Sequence, residues 1–219
     1  MSPRTPISRR LSLPVAAALD AHCASLLACR RCAHAPGVQP ITARTRTPRA
    51  MLVGQAPGKT EAGGGQPFAG RAGATLFKWL ERAGIDEARA REELYISAVT
   101  RCYPGPHPSG RGDRVPRPHE REQCAGWLDA ELRIIRPPFI ILVGRLAIDR
   151  FLGAQPLDEL VGLEHRITHA GGSSSAIPLP HPSGASSWIH AAEHRTLLDH
   201  ALELIRYRFA DASDARGVA

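Results

Sequence analysis

Lysine is almost missing from this 219-residue chain: of its 28 basic residues only Lys59 and Lys78 are lysines, and the rest are arginines. Long apolar runs are missing as well. None approaches the roughly 18 residues that a membrane-spanning helix needs, so no membrane partner is expected. Residues 1–10 are basic and rich in Ser and Pro, but no apolar stretch with a small-residue cleavage site follows them. A secretory leader is therefore not expected, and residues 1–12 read as a flexible basic arm. Neither G-x-G-x-x-G nor G-x-x-x-x-G-K-[ST] occurs, which sets aside the commonest nucleotide-binding loops.

What is present suits one folded unit. The length and a hydrophobic content of 43% allow a single well-buried domain, placed at 13–209, with a polar tail at 210–219. The formal charge of +7 fits a polyanionic partner. Arginine- and alanine-rich composition would account for the same figure, so charge alone decides nothing. Five cysteines, Cys23, Cys29, Cys32, Cys102 and Cys124, occur without an export signal. In a reducing compartment clustered cysteines point to metal binding or catalysis before disulfides.

Four short apolar runs, Ala50–Val53, Leu94–Val99, Phe139–Val143 and Ala176–Leu179, lack strict alternation and suit strands buried on both faces. Helical spacing is predicted at 13–28, 72–83, 120–135, 146–152 and 190–209, with Gly84 and the pair Pro137-Pro138 as stops. No repeat organises the chain, and its one low-complexity stretch, 170–175, reads as a loop. Alternating strands and helices predict a three-layer α/β/α sandwich around a central four-stranded parallel sheet. Ligands of such sheets lie beyond the carboxyl ends of the strands, so chemistry is expected just after Val53, Val99, Val143 and Leu179.

Unusual residues collect at those places. Gly54-Gln55-Ala56-Pro57-Gly58 follows the first strand, and Glu61, Phe68 and Arg71 come next in a loop with seven glycines between 54 and 73. Glycines let backbone N–H groups approach a ligand closely, although a merely flexible loop has the same composition. Phe68 offers a stacking surface, and Glu61 can activate water. His181 stands at the end of the fourth strand between prolines, beside Ser183 and Gly184, facing the glycine loop. Cys29-x-x-Cys32 with Cys102 and Cys124 makes a four-thiolate set fit for an iron–sulfur cluster or structural zinc. Cys23, on the first helix, reads as a small buried residue.

These residues resemble the uracil-DNA glycosylase superfamily, and most closely its iron–sulfur branch, family 4. The resemblance covers the chain from about Cys29 to the last helix. Residues 54–73, GQAPGKTEAGGGQPFAGRAG, follow the family's glycine loop without insertion or deletion, and Leu179-Pro180-His181-Pro182-Ser183 matches its second motif. The resemblance implies an enzyme, a monofunctional hydrolase of base-excision repair in the bacterial cytoplasm, acting on DNA containing uracil, with a monomer as the default. It implies that the nucleotide is flipped out of the stack and that Phe68 stacks on the base. Gly54, Gln55, Ala56 and Ala98 would surround the base, with backbone N–H groups and His181 donating to O2 as negative charge develops there. Glu61 would orient the attacking water. Pro57, Gly58, Lys59, Arg71, Ser183, Gly184 and Trp188 would meet the flanking DNA. Cys29, Cys32, Cys102 and Cys124 would hold a [4Fe–4S] cluster.

Three departures stand out. Gln55 replaces the family's Glu, Ala98 stands where the family keeps an Asn that reads the uracil edge, and no bulky aliphatic wedge follows Ser183. Trp188 is the wedge candidate. A glycosylase for hypoxanthine or xanthine, or a non-catalytic lesion-binding protein, are the alternatives these departures raise. Residues 104–118, between Cys102 and Cys124, form an insertion expected either to cover the cluster or to contact DNA.

Overall fold

The computed structural model describes residues 12–32, 37–110, 112–183 and 188–217. Of the expected basic arm only Ser12 falls among them, and Gly184 lies outside them. The strands are β1 (Ala50–Gly54), β2 (Leu94–Ala98), β3 (Phe139–Val143), β4 (His165–His169) and β5 (Gly172–Leu179). They lie in the order β2-β1-β3-β5-β4. The four expected strands are mutually parallel, and β4 is added antiparallel to β5 at one edge.

Residues alternate between the two faces, as a pleated strand dictates. On one face Ala50, Leu52, Ile96, Ile141 and Ile177 pack with α3 (Arg71–Arg82), α4 (Glu87–Glu93) and α7 (Ala192–Gly217). On the other, Met51, Val53, Tyr95, Ile140, Leu142 and Ala176 pack with α1 (Ser12–Leu27), α5 (Pro118–Ile135) and α6 (Arg145–Leu152). The three-layer sandwich is thus a consequence of strands apolar on both sides. No helix among the described residues is long and apolar enough to cross a membrane.

The structure differs from the sequence reading at the polar elements. In β4, His-Arg-Ile-Thr-His, only Ile167 is buried, so an edge strand carries no apolar run to announce it. β5 begins at Gly172, inside the stretch expected as a loop, because pairing with β4 supplies what its Ser residues lack in apolar content. Polar α4 and the six-residue, glycine-containing α2 (Lys59–Gly64) were likewise not signalled by periodicity. α7 continues past residue 209 to Gly217, into the expected tail, through a segment in which the strong helix former alanine recurs at 210, 212 and 215.

Candidate active site and thiol cluster

Beyond the carboxyl ends of the parallel strands lies a cavity of about 820 Å³. Its walls include Gln55, Ala56, Pro57, Gly58, Lys59, Glu61, Phe68, Arg71, Ala98, His181 and Ser183. Residues from the first, second and fourth expected strand ends therefore meet in one place.

Phe68 is held there by its backbone. It has a positive φ of 52°, and Arg91 donates to the carbonyls of Pro67 (2.9 Å) and Phe68 (3.3 Å). Its ring lies against Gly54: a Cβ at position 54 would meet Phe68 Cζ at 2.9 Å. Gly73, in the first turn of α3, lets that helix approach the Phe68 carbonyl, which a Cβ would meet at 1.9 Å. Two glycines of the loop are thus places where the aromatic residue needs the room.

Glu61, on α2, is buried and accepts the Gly70 N–H at 2.9 Å through Oε1. Its Oε2 is 2.7 Å from where a Gly58 Cβ would stand, and Asp113 Oδ2 is 3.0 Å from the same point. The insertion therefore brings a second carboxylate beside Glu61. Sequence reasoning missed Asp113, whose only signal was a single acid among the Gly, Pro and Arg residues of 104–118. Pro104, Gly112 and Arg114 of the same segment also line the cavity. It does so as a hairpin, with Pro106 bridged to Asp113 and Arg114 bound in two-pronged fashion to Glu120 at the start of α5.

His181 Nδ1 accepts the Ser183 N–H at 3.2 Å and lies 2.9 Å from the Ser183 hydroxyl. An Nδ1 that accepts an N–H is unprotonated, so in the neutral ring Nε2 carries the proton. Burial lowers the His181 pKa, favouring that neutral ring. The close packing of the ring on Gly144, where a Cβ would meet Cδ2 at 2.8 Å, fixes its direction. Trp188 is not brought to the cavity. Its ring stacks on His194 with centroids 4.2 Å apart and packs against the core, and its carbonyl accepts from His194 Nδ1 at 2.8 Å. Gly184 lies outside the described residues.

The chain contains no asparagine at any position. Among the described residues, Gln55 carries the only carboxamide lining the cavity. Ala98 lines it too, without a polar group to offer.

The four cysteines form a separate group. Cys29 and Cys32 follow α1, Cys102 follows β2, and Cys124 lies on α5. All are free, and Cys32 and Cys102 lie close enough to influence one another's ionisation. Burial pushes the Cys102 thiol up to about 12, with the neighbouring Cys32, Cys124 and Cys29 adding to it. Burial raises Cys32, with Cys29 and Glu120 adding to it, and burial also raises Cys124, against the lowering effect of Arg101. Among the described residues no three His, Cys, Asp or Glu side chains are gathered tightly enough for one bare ion. The four thiols are a looser set whose mutual repulsion as thiolates a cationic centre would reverse, and that donor chemistry fits a sulfur-rich cluster. Cys23 stays apart, buried 3.7 Å from the Tyr95 hydroxyl.

Glu131 is fully buried and is bound to Ser97 and Arg101, two residues that line the cavity. It accepts from Tyr95 Oη (2.9 Å), Ser97 Oγ (2.8 Å) and the Arg101 guanidinium, and lies 3.2 Å from His22 Nε2. Burial works against the Arg101 charge, yet Glu131 holds its pKa above the ordinary value. Nothing in the sequence pattern marked this network.

A sequence profile of the uracil DNA glycosylase superfamily matches residues 42–205. The chain is 34% identical over 135 residues to a type-4 uracil-DNA glycosylase of Thermotoga maritima, covering 62% of this chain and 65% of that protein. It is 30% identical over 177 residues to a type-4 uracil-DNA glycosylase of Archaeoglobus fulgidus, covering 75% and 81%. A type-5 uracil-DNA glycosylase of Thermus thermophilus is 32% identical over 115 residues, about half of each chain. The aligned part is thus just under two thirds of the Thermotoga protein and about four fifths of the Archaeoglobus one.

Proposed function

Because the chain belongs to the uracil DNA glycosylase superfamily, we propose that it removes uracil from DNA by hydrolysing the N-glycosidic bond, leaving an abasic site. The observation that carries this reading is the convergence of Phe68, Glu61 and His181 on one cavity at the strand ends. A base buried in the duplex offers its glycosidic bond to no side chain, so the nucleotide must swing out of the stack. Phe68 receives the base on its ring. His181 donates through Nε2–H to the uracil O2, where negative charge collects as the bond to the sugar breaks. A donor fixed in advance toward developing charge needs no reorganisation during the reaction. The neutral ring supplies a hydrogen bond and keeps its proton.

The water that attacks C1′ is oriented by carboxylate. Glu61 is anchored through one oxygen by Gly70 and presents the other toward Asp113. The two acids form the water site, and their negative charge stabilises the positive sugar in the transition state. Gln55 takes over reading of the base edge where the Asn is lacking, through the one side-chain carboxamide at hand. Lys59 and Arg71, both exposed at the rim, meet phosphates together with Pro57, Gly58 and Ser183. Cys29, Cys32, Cys102 and Cys124 would hold a [4Fe–4S] cluster whose contribution is to tie three chain segments together. The enzyme acts as a monomer in the cytoplasm.

The test is release of free uracil from a uracil-containing oligonucleotide, with strand scission at the abasic site under alkali. Wild type should cleave, and Glu61→Ala and His181→Ala should each lose at least about tenfold. Cleavage unaffected by Glu61→Ala would move the water-orienting role to Asp113. No release by wild type, with the cluster in place, would sink the uracil reading.

A second substrate reading rests on Ala98, which leaves the base edge unread on that side. Hypoxanthine and xanthine are its candidates, and the same assay on those lesions separates them from uracil.

A further inference from the structure

The four residues His-Pro-Ser-Gly occur twice, at 107–110 and at 181–184, a recurrence too short to register as a repeat. The described parts of the two are built alike. In each, the histidine Nδ1 accepts the N–H of the serine two residues on, at 3.1 Å for Ser109 and 3.2 Å for Ser183. In each, Nδ1 also lies within bonding distance of that serine's hydroxyl, at 2.7 Å and 2.9 Å. The same tautomer follows for both: Nδ1 is the acceptor, and the neutral ring carries its proton on Nε2. A turn of this kind holds the imidazole on a short, stiff support, with the serine on its Nδ1 side and the Nε2–H donor directed away from it.

Their surroundings differ. His181 is turned into the cavity, whereas every residue from Pro106 to Gly110 is exposed. The exposed copy tops the hairpin whose foot, Gly112 to Arg114, lines the cavity. His107 N–H donates to Gly112 O at 2.9 Å, Arg114 N–H to Gly105 O at 3.0 Å, and Arg114 is clamped on Glu120. The tip is therefore fastened one ladder step from the cavity rim. Residues 103–118 carry three arginines and a single aspartate, a balance suited to a polyanion.

We propose that the 107–110 turn is a second phosphate-binding element for the substrate DNA, with His107 Nε2–H donating to one backbone phosphate beside the flipped nucleotide and Ser109 holding the ring in that tautomer from its Nδ1 side. The insertion thereby serves DNA contact. This inference rests on the proposed base-excision function, because a flipped nucleotide in the cavity is what draws the flanking strand past the hairpin. It goes beyond that function in adding a contact from a segment outside both family motifs. The contact is a single hydrogen bond from the Nε2–H of a ring whose Nδ1 is held as an acceptor, so it differs from a cationic contact in one measurable respect. Losing it weakens binding without changing how many counterions are released.

Binding is measured by fluorescence anisotropy with a duplex holding a stable abasic analogue, across a range of salt, for wild type, His107→Ala, Ser109→Ala and Lys59→Ala. His107→Ala should weaken binding about ten- to a hundredfold, the size of one hydrogen bond to a charged group, and Ser109→Ala should weaken it by a smaller factor through loss of the ring's support. The slope of log Kd against log salt should stay at the wild-type value, while Lys59→Ala lowers it by about one phosphate's worth. The duplex is then scanned with single methylphosphonate substitutions. One position that weakens wild type should cost the His107→Ala variant nothing further, as a double-mutant cycle requires of a direct contact. Unchanged affinity in both variants, or equal losses at every methylphosphonate position, would overturn the proposal. So would absence of wild-type binding. Uracil release by wild type is followed on matched duplexes. Release without coupling removes only the second phosphate element, and coupling without release removes only the excision chemistry.

Discussion

Gly54 and His181 show how single residues shape the proposed active site. The Phe68 ring covers Gly54 so closely that a Cβ there would sit 2.9 Å from Cζ and 3.2 Å from Cε2. Gly54→Ala should therefore push the ring off its position while leaving the strand intact. Steady-state kinetics should give kcat/KM down by about ten- to a hundredfold, the scale of a misplaced substrate-positioning group, with the thermal midpoint nearly unmoved. For His181, burial disfavours the charged ring, so its folded pKa lies below the unfolded value of about 6.5. Between the two values the unfolded chain binds the extra proton, so stability rises with pH through that window. The His181 contribution is fully present above about pH 6.5 and is lost as pH falls toward the folded pKa. Protonation would also set an Nδ1–H against the Ser183 N–H. Excision should accordingly show no His181 titration from pH 8 to about 6.5 and an acid limb below it, and this limb should be missing from the residual rate of His181→Ala.

At the scale of elements, β2, α1 and α5 are joined by the fully buried Glu131 carboxylate rather than by apolar packing alone. Four groups from α1, β2 and the segment after β2 converge on it, among them the Arg101 guanidinium, which is itself buried. Removing one partner of a buried pair leaves an uncompensated charge, so Glu131→Ala should cost about 3–5 kcal/mol. Urea unfolding under anaerobic conditions measures this. The double variant Arg101→Met, Glu131→Gln should lose less than Glu131→Ala, because the amide still accepts from Tyr95 and Ser97 while no charge is stranded. Equal losses would mean that packing volume, and not charge, holds α5 to β2.

The whole molecule is a sheet with its two functional groups at one end: the cavity beyond the parallel strands and the thiol group beside it. Cys29 and Cys32, Cys102, and Cys124 come from three segments far apart in sequence, so a cluster held by all four closes long loops of the chain. Cys124→Ser should lower the iron content per protein and the visible absorbance, and shift thermal unfolding down by several degrees, roughly the effect of 1–2 kcal/mol on a domain of this size. Iron retained in full by this variant would remove Cys124 from the ligand set.

Periodicity and spacing were enough to determine the parallel core and the cavity's main residues. Apolar runs buried on both faces have one economical arrangement, and strand ends in a parallel sheet bring their following loops together. Gln55, Glu61, Phe68 and His181 were legible because each follows a strand or belongs to one glycine-rich segment. Other features were decided only by tertiary structure. Asp113 belongs to an insertion without periodicity, and only the fold of the hairpin carries it to Glu61. Trp188 was a wedge candidate by position, and its stacking on His194 was visible only in space. Glu131 sits at an ordinary helical position, and its burial depends on partners 30 to 109 residues away in sequence. β4 needed a neighbour to exist at all. The physical reason is common to all four. Local pattern reports which face of an element is apolar, whereas a polar residue's role depends on partners that the chain brings to it from elsewhere.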